Sequence, residues 1–307
     1  MTPSNVQPSA DEVRHITVGG AYRVYTRRVG HGPITLLLLH GGPGCTHEYF
    51  ESFEAFLSPD EYTFYYYDQL GSFYSDQPDD TSLWTVERFR EEVEQVRSAL
   101  GLESFYLFGN SWGGMLGIEY ALKYQSHLKG LIVSNMTASI ASYTEYINEL
   151  RGRMAPAQVA VMKAHEAAGT LDDPEYQELL TQLYNQHICR VVPWPEPVQR
   201  MFGHLAQPVY NTMQGPNEFL VTGNFKDWNR WEDLRRIHVP TLLSVGRHDT
   251  MRPADIEEMG HRVPNSRVSI CEDGSHLSMW DDQDTYFTAL KTFLADVEAG
   301  QFTPSSE

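Results

Sequence analysis

The chain has 307 residues, of which 41% are hydrophobic, enough for a core in one large domain or in a domain carrying an insertion. Its formal net charge is −18 and its pI near 5.0. So acidic a surface repels phosphates, which argues against nucleic acid or an anionic membrane as partner and is most simply a solubility feature. The cysteines, Cys45, Cys189 and Cys271, are an odd, widely spaced set with neither a disulfide framework nor metal-ligand spacing. Residues 1–13 are polar and carry no apolar signal core, and no apolar run approaches the ~18 residues of a membrane span. A cytoplasmic location is expected.

Residues 1–12 read as a polar leader. Short strands are expected at 15–18 and 22–27, around Gly19-Gly20. The continuous apolar run 34–39 predicts a strand buried on both faces, ending in His40-Gly41-Gly42-Pro43-Gly44. A helix at 48–57 and a strand at 62–67 follow. The apolar spacing of Val86, Phe89, Val93, Val96 and Leu100 predicts a helix over 84–100. A strand at 104–108, a helix at 115–124 and a strand at 128–134 complete an alternating pattern that calls for a mostly parallel sheet with helices on both faces.

At residue 135 the pattern changes. Helices are expected at 138–154, 156–168, 174–189 and near 198–204, with a polar loop at 210–218. The α/β pattern returns after 231, with strands at 240–245 and 267–271, helices at 254–261 and 281–297, and a frayed tail from 300. The division is therefore a core in two parts, 1–134 and 232–307, interrupted by a helical cap at 135–231.

Between the strand at 104–108 and the following helix lies Gly109-Asn110-Ser111-Trp112-Gly113-Gly114. Gly-x-Ser-x-Gly in that context fits the nucleophile elbow, a tight turn that lifts a serine hydroxyl above a sheet. By itself it is equally a Gly-rich connection. Three further groups sit at strand ends, where parallel sheets bind ligands: the His40-Gly-Gly loop, Asp249 and His276. Ser111, Asp249 and His276 run in the triad order of α/β hydrolases. Ser111 would be the nucleophile, His276 its base, and Asp249 the group that orients the imidazole. The Trp112 N–H and a glycine N–H of the first Gly-rich loop, Gly42 by preference, would receive the oxyanion.

Rivals are weaker. His248 adjoins Asp249 but points the other way along an extended strand end, and Asp273 competes with Asp249 without its strand-end loop. His165-Glu166 begins a zinc motif that lacks its second histidine. Asp68 suits a structural role, and Cys45 a packed thiol. No metal or organic cofactor is implied.

The chain resembles the proline iminopeptidase family of α/β hydrolases, serine enzymes that remove an N-terminal residue. The resemblance rests on His40-Gly-Gly-Pro-Gly44, Tyr67-Asp-Gln-Leu-Gly-Ser72, Gly109-Asn-Ser-Trp-Gly-Gly114 and Asp273-Gly-Ser-His-Leu-Ser-Met-Trp280. Gly215-Pro-Asn-Glu-Phe219 is similar to a cap segment of its tricorn-interacting aminopeptidase branch. The resemblance implies that Glu218 binds the substrate's α-amine, that Tyr210 lines the pocket, and that the substrate is a small peptide or amino-acid amide. It also exposes a departure. Family members that grip the amine with two carboxylates have a glutamate after the triad aspartate; here Thr250 stands there. Glu48 and Asp68 are the substitutes to look for. An amidase or esterase without a strict free-amine requirement is the alternative, and a non-catalytic ligand-binding protein the more distant one. Trp112, Phe50, Tyr74 and Trp228 are candidates for an apolar pocket.

Overall fold

A computed structural model describes residues 12–305; most of the expected leader lies outside them. Eight strands form one sheet: β1 (Glu12–Val18), β2 (Tyr22–Gly30), β3 (Ile34–Leu39), β4 (Tyr62–Asp68), β5 (Phe105–Asn110), β6 (Leu128–Ser134), β7 (Thr241–Gly246) and β8 (Ser266–Cys271). Their order is β1-β2-β4-β3-β5-β6-β7-β8. β1 and β2 pair antiparallel, as do β2 and β4; every pairing from β4 to β8 is parallel.

The leucine run of β3 shows why the sheet is buried on both sides. Leu37 and Leu39 belong to one core cluster, Leu36 and Leu38 to the other. Successive side chains point to opposite faces, so a strand covered twice must be apolar throughout. The first face is covered by α2 (Val86–Leu100), α3 (Trp112–Tyr124) and α9 (Pro253–Arg262), the second by α1 (Phe53–Phe56) and α11 (Gln283–Glu298). Helix α2 starts where the Thr85 hydroxyl accepts the Arg88 N–H and stops at Gly101, which takes a left-handed conformation.

Between β6 and β7 lie α4 (Ile140–Gly152), α5 (Pro156–Ala168), α6 (Pro174–His187), α7 (Glu196–Gly203) and α8 (Gln207–Met213). No strand is found there among the described residues. The short α10 (Ser278–Asp281) follows the His276 loop.

Three local expectations are corrected. The helix expected at 48–57 is a 3₁₀ turn, His47–Phe50, followed by the four-residue α1. Tyr210 lies on α8 rather than in a polar loop; Pro208, near the helix start, needs no N–H partner there. The tail does not fray up to residue 305: Phe302 packs edge-on against Phe293, and the Ser305 N–H donates to the Ser266 carbonyl at 2.9 Å. No helix among the described residues is long and apolar enough to cross a membrane.

Candidate active site

Ser111 links β5 to α3 with φ 57° and ψ −126°, one of two non-glycine residues at positive φ among the described residues. Such a backbone is costly and persists only where its surroundings over-determine it. The Ser111 N–H donates to the Ser134 carbonyl of β6 at 2.9 Å, and the Ser111 carbonyl accepts the N–H groups of Gly114 and Met115. The glycines make the turn possible. A Cβ on Gly109 would lie 2.0 Å from the Gly113 carbonyl oxygen, and one on Gly113 would lie 2.0 Å from the Leu39 carbonyl oxygen. No side chain fits at either place, so the helix start is drawn down onto the ends of β3 and β5.

The loop after β3 comes close to the serine: a Cβ on Gly41 would be 3.1 Å from the Ser111 Cβ. Gly42 has φ 103°. His40 holds this loop. Its Nε2 accepts the Gln69 N–H at 3.0 Å, which leaves the proton on Nδ1, 2.9 Å from the Gly41 carbonyl it donates to. Burial lowers the His40 pKa from its ordinary value, so the ring stays neutral and this tautomer persists. Gln69 also accepts the Trp112 Nε1–H at 2.7 Å. One glutamine thus ties the Gly-rich loop to the residue after the serine.

Asp249, in the loop after β7, is completely buried. His276 Nδ1–H donates to its Oδ1 at 2.7 Å, leaving Nε2 as the ring's acceptor. The Met251 N–H donates to the same oxygen at 3.0 Å. Burial lowers the His276 pKa, but the Asp249 charge and hydrogen bond outweigh it and hold the pKa above its ordinary value. Asp273 and His248 do not enter this pairing. Thr250 is also completely buried, with its hydroxyl 3.2 Å from Asp249 Oδ1 and 3.4 Å from His276 Nδ1.

Asn135 is a residue that the sequence reading did not single out. It follows β6 with φ 55°, and its Nδ2 donates to Asp249 Oδ2 at 2.6 Å and to the Ser275 carbonyl at 3.1 Å. Its Oδ1 accepts Asn110 Nδ2 at 3.3 Å. Asn110 Oδ1 in turn accepts the Tyr49 hydroxyl at 3.2 Å, and that hydroxyl oxygen accepts the Gly41 N–H at 2.8 Å. A buried chain of hydrogen bonds thus runs from the Gly-rich loop to the carboxylate behind His276.

Ser111, Gly42, His276, Tyr210 and Glu218 line one cavity of about 570 Å³. Glu218 is half-buried. The Tyr210 hydroxyl donates to its Oε1, and the Tyr143 hydroxyl shares its proton between the Glu218 carbonyl oxygen and Oε2, the latter at 3.0 Å. Burial, with the Glu218 charge second, raises the pKa of both phenols, so they remain donors. A small adjoining recess shares Ser111, Gly42 and Glu218 with the cavity; Tyr143 and Gln214 also border it, and its other walls are apolar, with Trp112, Phe225, Met115, Met136 and Met251 among them. As it stands it has room for about one water, ≈ 10 Å³.

The expected substitutes for a second carboxylate are elsewhere. Glu48 is held by Thr46, Tyr74, His204 and Arg200, and Asp68 by His47; neither lines the cavity. Asp172, on the α5–α6 loop, does line it. Of the proposed pocket aromatics only Trp112 borders the cavity or its recess. Phe50 packs against Phe53 and Phe108, the Tyr74 hydroxyl donates to Glu48, and Trp228 Nε1 donates to Glu119. Cys45 lines the cavity, but burial and the nearby Glu218 push its thiol pKa far up, away from the reactive thiolate.

The family model of the α/β hydrolase fold matches residues 34–283. A proline iminopeptidase of Flavobacterium johnsoniae is 46% identical over 283 residues, covering 91% of this chain and 95% of that protein. One from Elizabethkingia meningoseptica is 46% identical over 289 residues, covering 92% and 97%. The chain belongs to the proline iminopeptidase family of α/β hydrolases. Solved structures agree with this. The proline iminopeptidase of Mycobacterium smegmatis matches with a TM-score of 0.87 at 30% identity, over 94% of this chain and 99% of that one. The crystal structure of VinJ matches with a TM-score of 0.89 at 34% identity, over 95% and 100%. Within this proline iminopeptidase-family chain, Asn135, Tyr143 and Asp172 join the site without having been expected there. Asn135 at a strand end was the one signal available beforehand.

Proposed function

We propose that this protein is a serine aminopeptidase that removes the N-terminal residue, proline or another apolar residue, from short peptides or amino-acid amides. Residues 135–231 act as a cap over the strand ends of a core built from 1–134 and 232–307. Ser111 Oγ attacks the first carbonyl carbon while His276 Nε2 takes its proton. Asp249 holds the Nδ1–H tautomer and stabilises the imidazolium that forms. The N–H groups of Gly42 and Trp112 receive the oxyanion. His276 then gives the proton to the departing amine, leaving an acyl-enzyme on Ser111. A water deprotonated by His276 attacks the ester, releases the amino acid and returns the proton to Ser111.

The observation that carries this reading is Glu218: a carboxylate gripped by two tyrosine hydroxyls lines the cavity that holds Ser111 and His276. An ammonium taken out of water needs a paired charge, and the tyrosines fix that charge in place. The apolar recess beside Ser111 takes the first side chain. Its three methionines are unbranched and adaptable, so they can repack around a ring. The test compares L-prolyl-4-nitroanilide with its N-acetyl form. The free amine should be hydrolysed and the acetylated form should not; equal turnover contradicts the proposal.

A further inference from the structure

The charge of the leaving group is the next question, and its answer rests on reading Ser111 as nucleophile and Glu218 as amine clamp. The cavity and the recess share Ser111, Gly42 and Glu218, so the first residue sits at that shared corner. The rest of the cavity is left for what departs. Met201, Phe202 and Leu205 form apolar walls, and the exposed Gln177, Asn211 and Asp172 mark its rim. Among the described residues, no lysine or arginine lines the cavity. Its carboxylates are Glu218 and Asp172. Arg200, on the adjoining helix α7, is paired with Glu48, Glu51 and Glu196. Any positive charge on His276 is paired with Asp249.

A dipeptide carries its free carboxylate two bonds from the scissile nitrogen. That charge enters the cavity with no side-chain cation to receive it and, once Glu218 is paired with the substrate's own ammonium, with Asp172 as the remaining anion at the rim of a chain of net charge −18. Burying an unpaired carboxylate is costly, and the like charges add repulsion. Amidation removes the charge, and lengthening the peptide carries it out toward water.

We infer that the leaving-group half of the cavity selects by charge. It takes neutral or cationic leaving groups, such as amidated or longer peptides, and discriminates against dipeptides with a free C-terminus.

The experiment measures kcat/KM for Pro-Ala, Pro-Ala-amide and Pro-Ala-Ala at low and high salt, with the unmodified protein and Asp172→Lys. The amide should exceed the dipeptide by about tenfold or more at low salt, with the tripeptide nearer the amide and the gap shrinking as salt screens the rim. Asp172→Lys should raise the ratio of dipeptide to amide kcat/KM several-fold. Equal turnover of dipeptide and amide overturns charge selection while leaving the aminopeptidase reading intact. A gap that ignores both salt and Asp172→Lys also overturns it. Failure to cleave any of the three removes the aminopeptidase reading and this inference with it.

Discussion

The strand ends of the sheet and the helical segment between β6 and β7 meet at one cavity, and they hold their side chains in different ways. Ser111 and Asn135 follow directly from β5 and β6, with their N–H groups bonded to carbonyls of neighbouring strands, Ser134 and Ser244. Glu218 lies beyond α8 on a stretch with no sheet ladder. It is held by side chains: Tyr143 from α4, Tyr210 from α8, and the Tyr184 hydroxyl, which accepts its N–H at 3.2 Å. Groups fixed by a backbone ladder suit chemistry common to a fold. Groups fixed by side-chain contacts change easily by substitution, which suits substrate choice. The two regions are also joined. The N–H groups of His276 and Leu277 donate to the carbonyls of His187 and Ile188 at the end of α6.

On this account, damage at the strand ends should lower kcat for every substrate, while damage in the helical segment should act on particular substrates. The largest effect expected is from Ser111→Ala, which should cut kcat by roughly 10⁴–10⁶-fold on any substrate without loss of Tm, measured by burst kinetics and thermal unfolding. Next comes Asn135→Gly, which keeps the left-handed backbone open to glycine but removes the hydrogen bond to Asp249. Loss of a hydrogen bond to a charged group, about 1.5–3 kcal/mol, should lower kcat by roughly 10- to 150-fold with little change in KM. An effect confined to KM would place Asn135 outside the triad's support.

The smallest effect is a displacement of the pH profile. On the proposed mechanism neutral His276 is the active base, and its pKa is held above the ordinary value. Activity is therefore lost on acidification at a higher pH than an unperturbed imidazole would give. The acid limb of kcat/KM should lie above ~6.5. Asp249→Asn removes the raising influence, so any residual activity should have its limb shifted to lower pH. A limb that stays in place would mean another group titrates there.

The sheet and its strand-end groups were legible in the sequence because their signals are local. Apolar runs mark buried strands, and Gly109-x-Ser111-x-Gly113 is legible because glycines are required where a Cβ would strike a carbonyl 2.0 Å away. The helical segment was legible only in outline. Helix α8 has seven residues, too short for a hydrophobic period to stand out, and Gln207, Asn211 and Thr212 make it look like a loop. Glu218 carries no signal of its own: its tyrosine partners lie 8, 34 and 75 residues away, and it was singled out through family resemblance alone. Asn135 was missed for the same reason, since Asp249 is 114 residues further on. Asp172 is an ordinary loop aspartate until folding brings it to the rim of the cavity.

The account turns on Glu218 as the group that receives the substrate's amine. The direct measurement is kcat/KM of the unmodified protein and Glu218→Gln on L-prolyl-4-nitroanilide and on its N-acetyl form. The substitution should cost the free-amine substrate roughly 2–5 kcal/mol, as expected for breaking a buried charge pair, and leave any slow turnover of the acetylated form unchanged. An equal loss on both substrates, or no loss on the free amine, would contradict it.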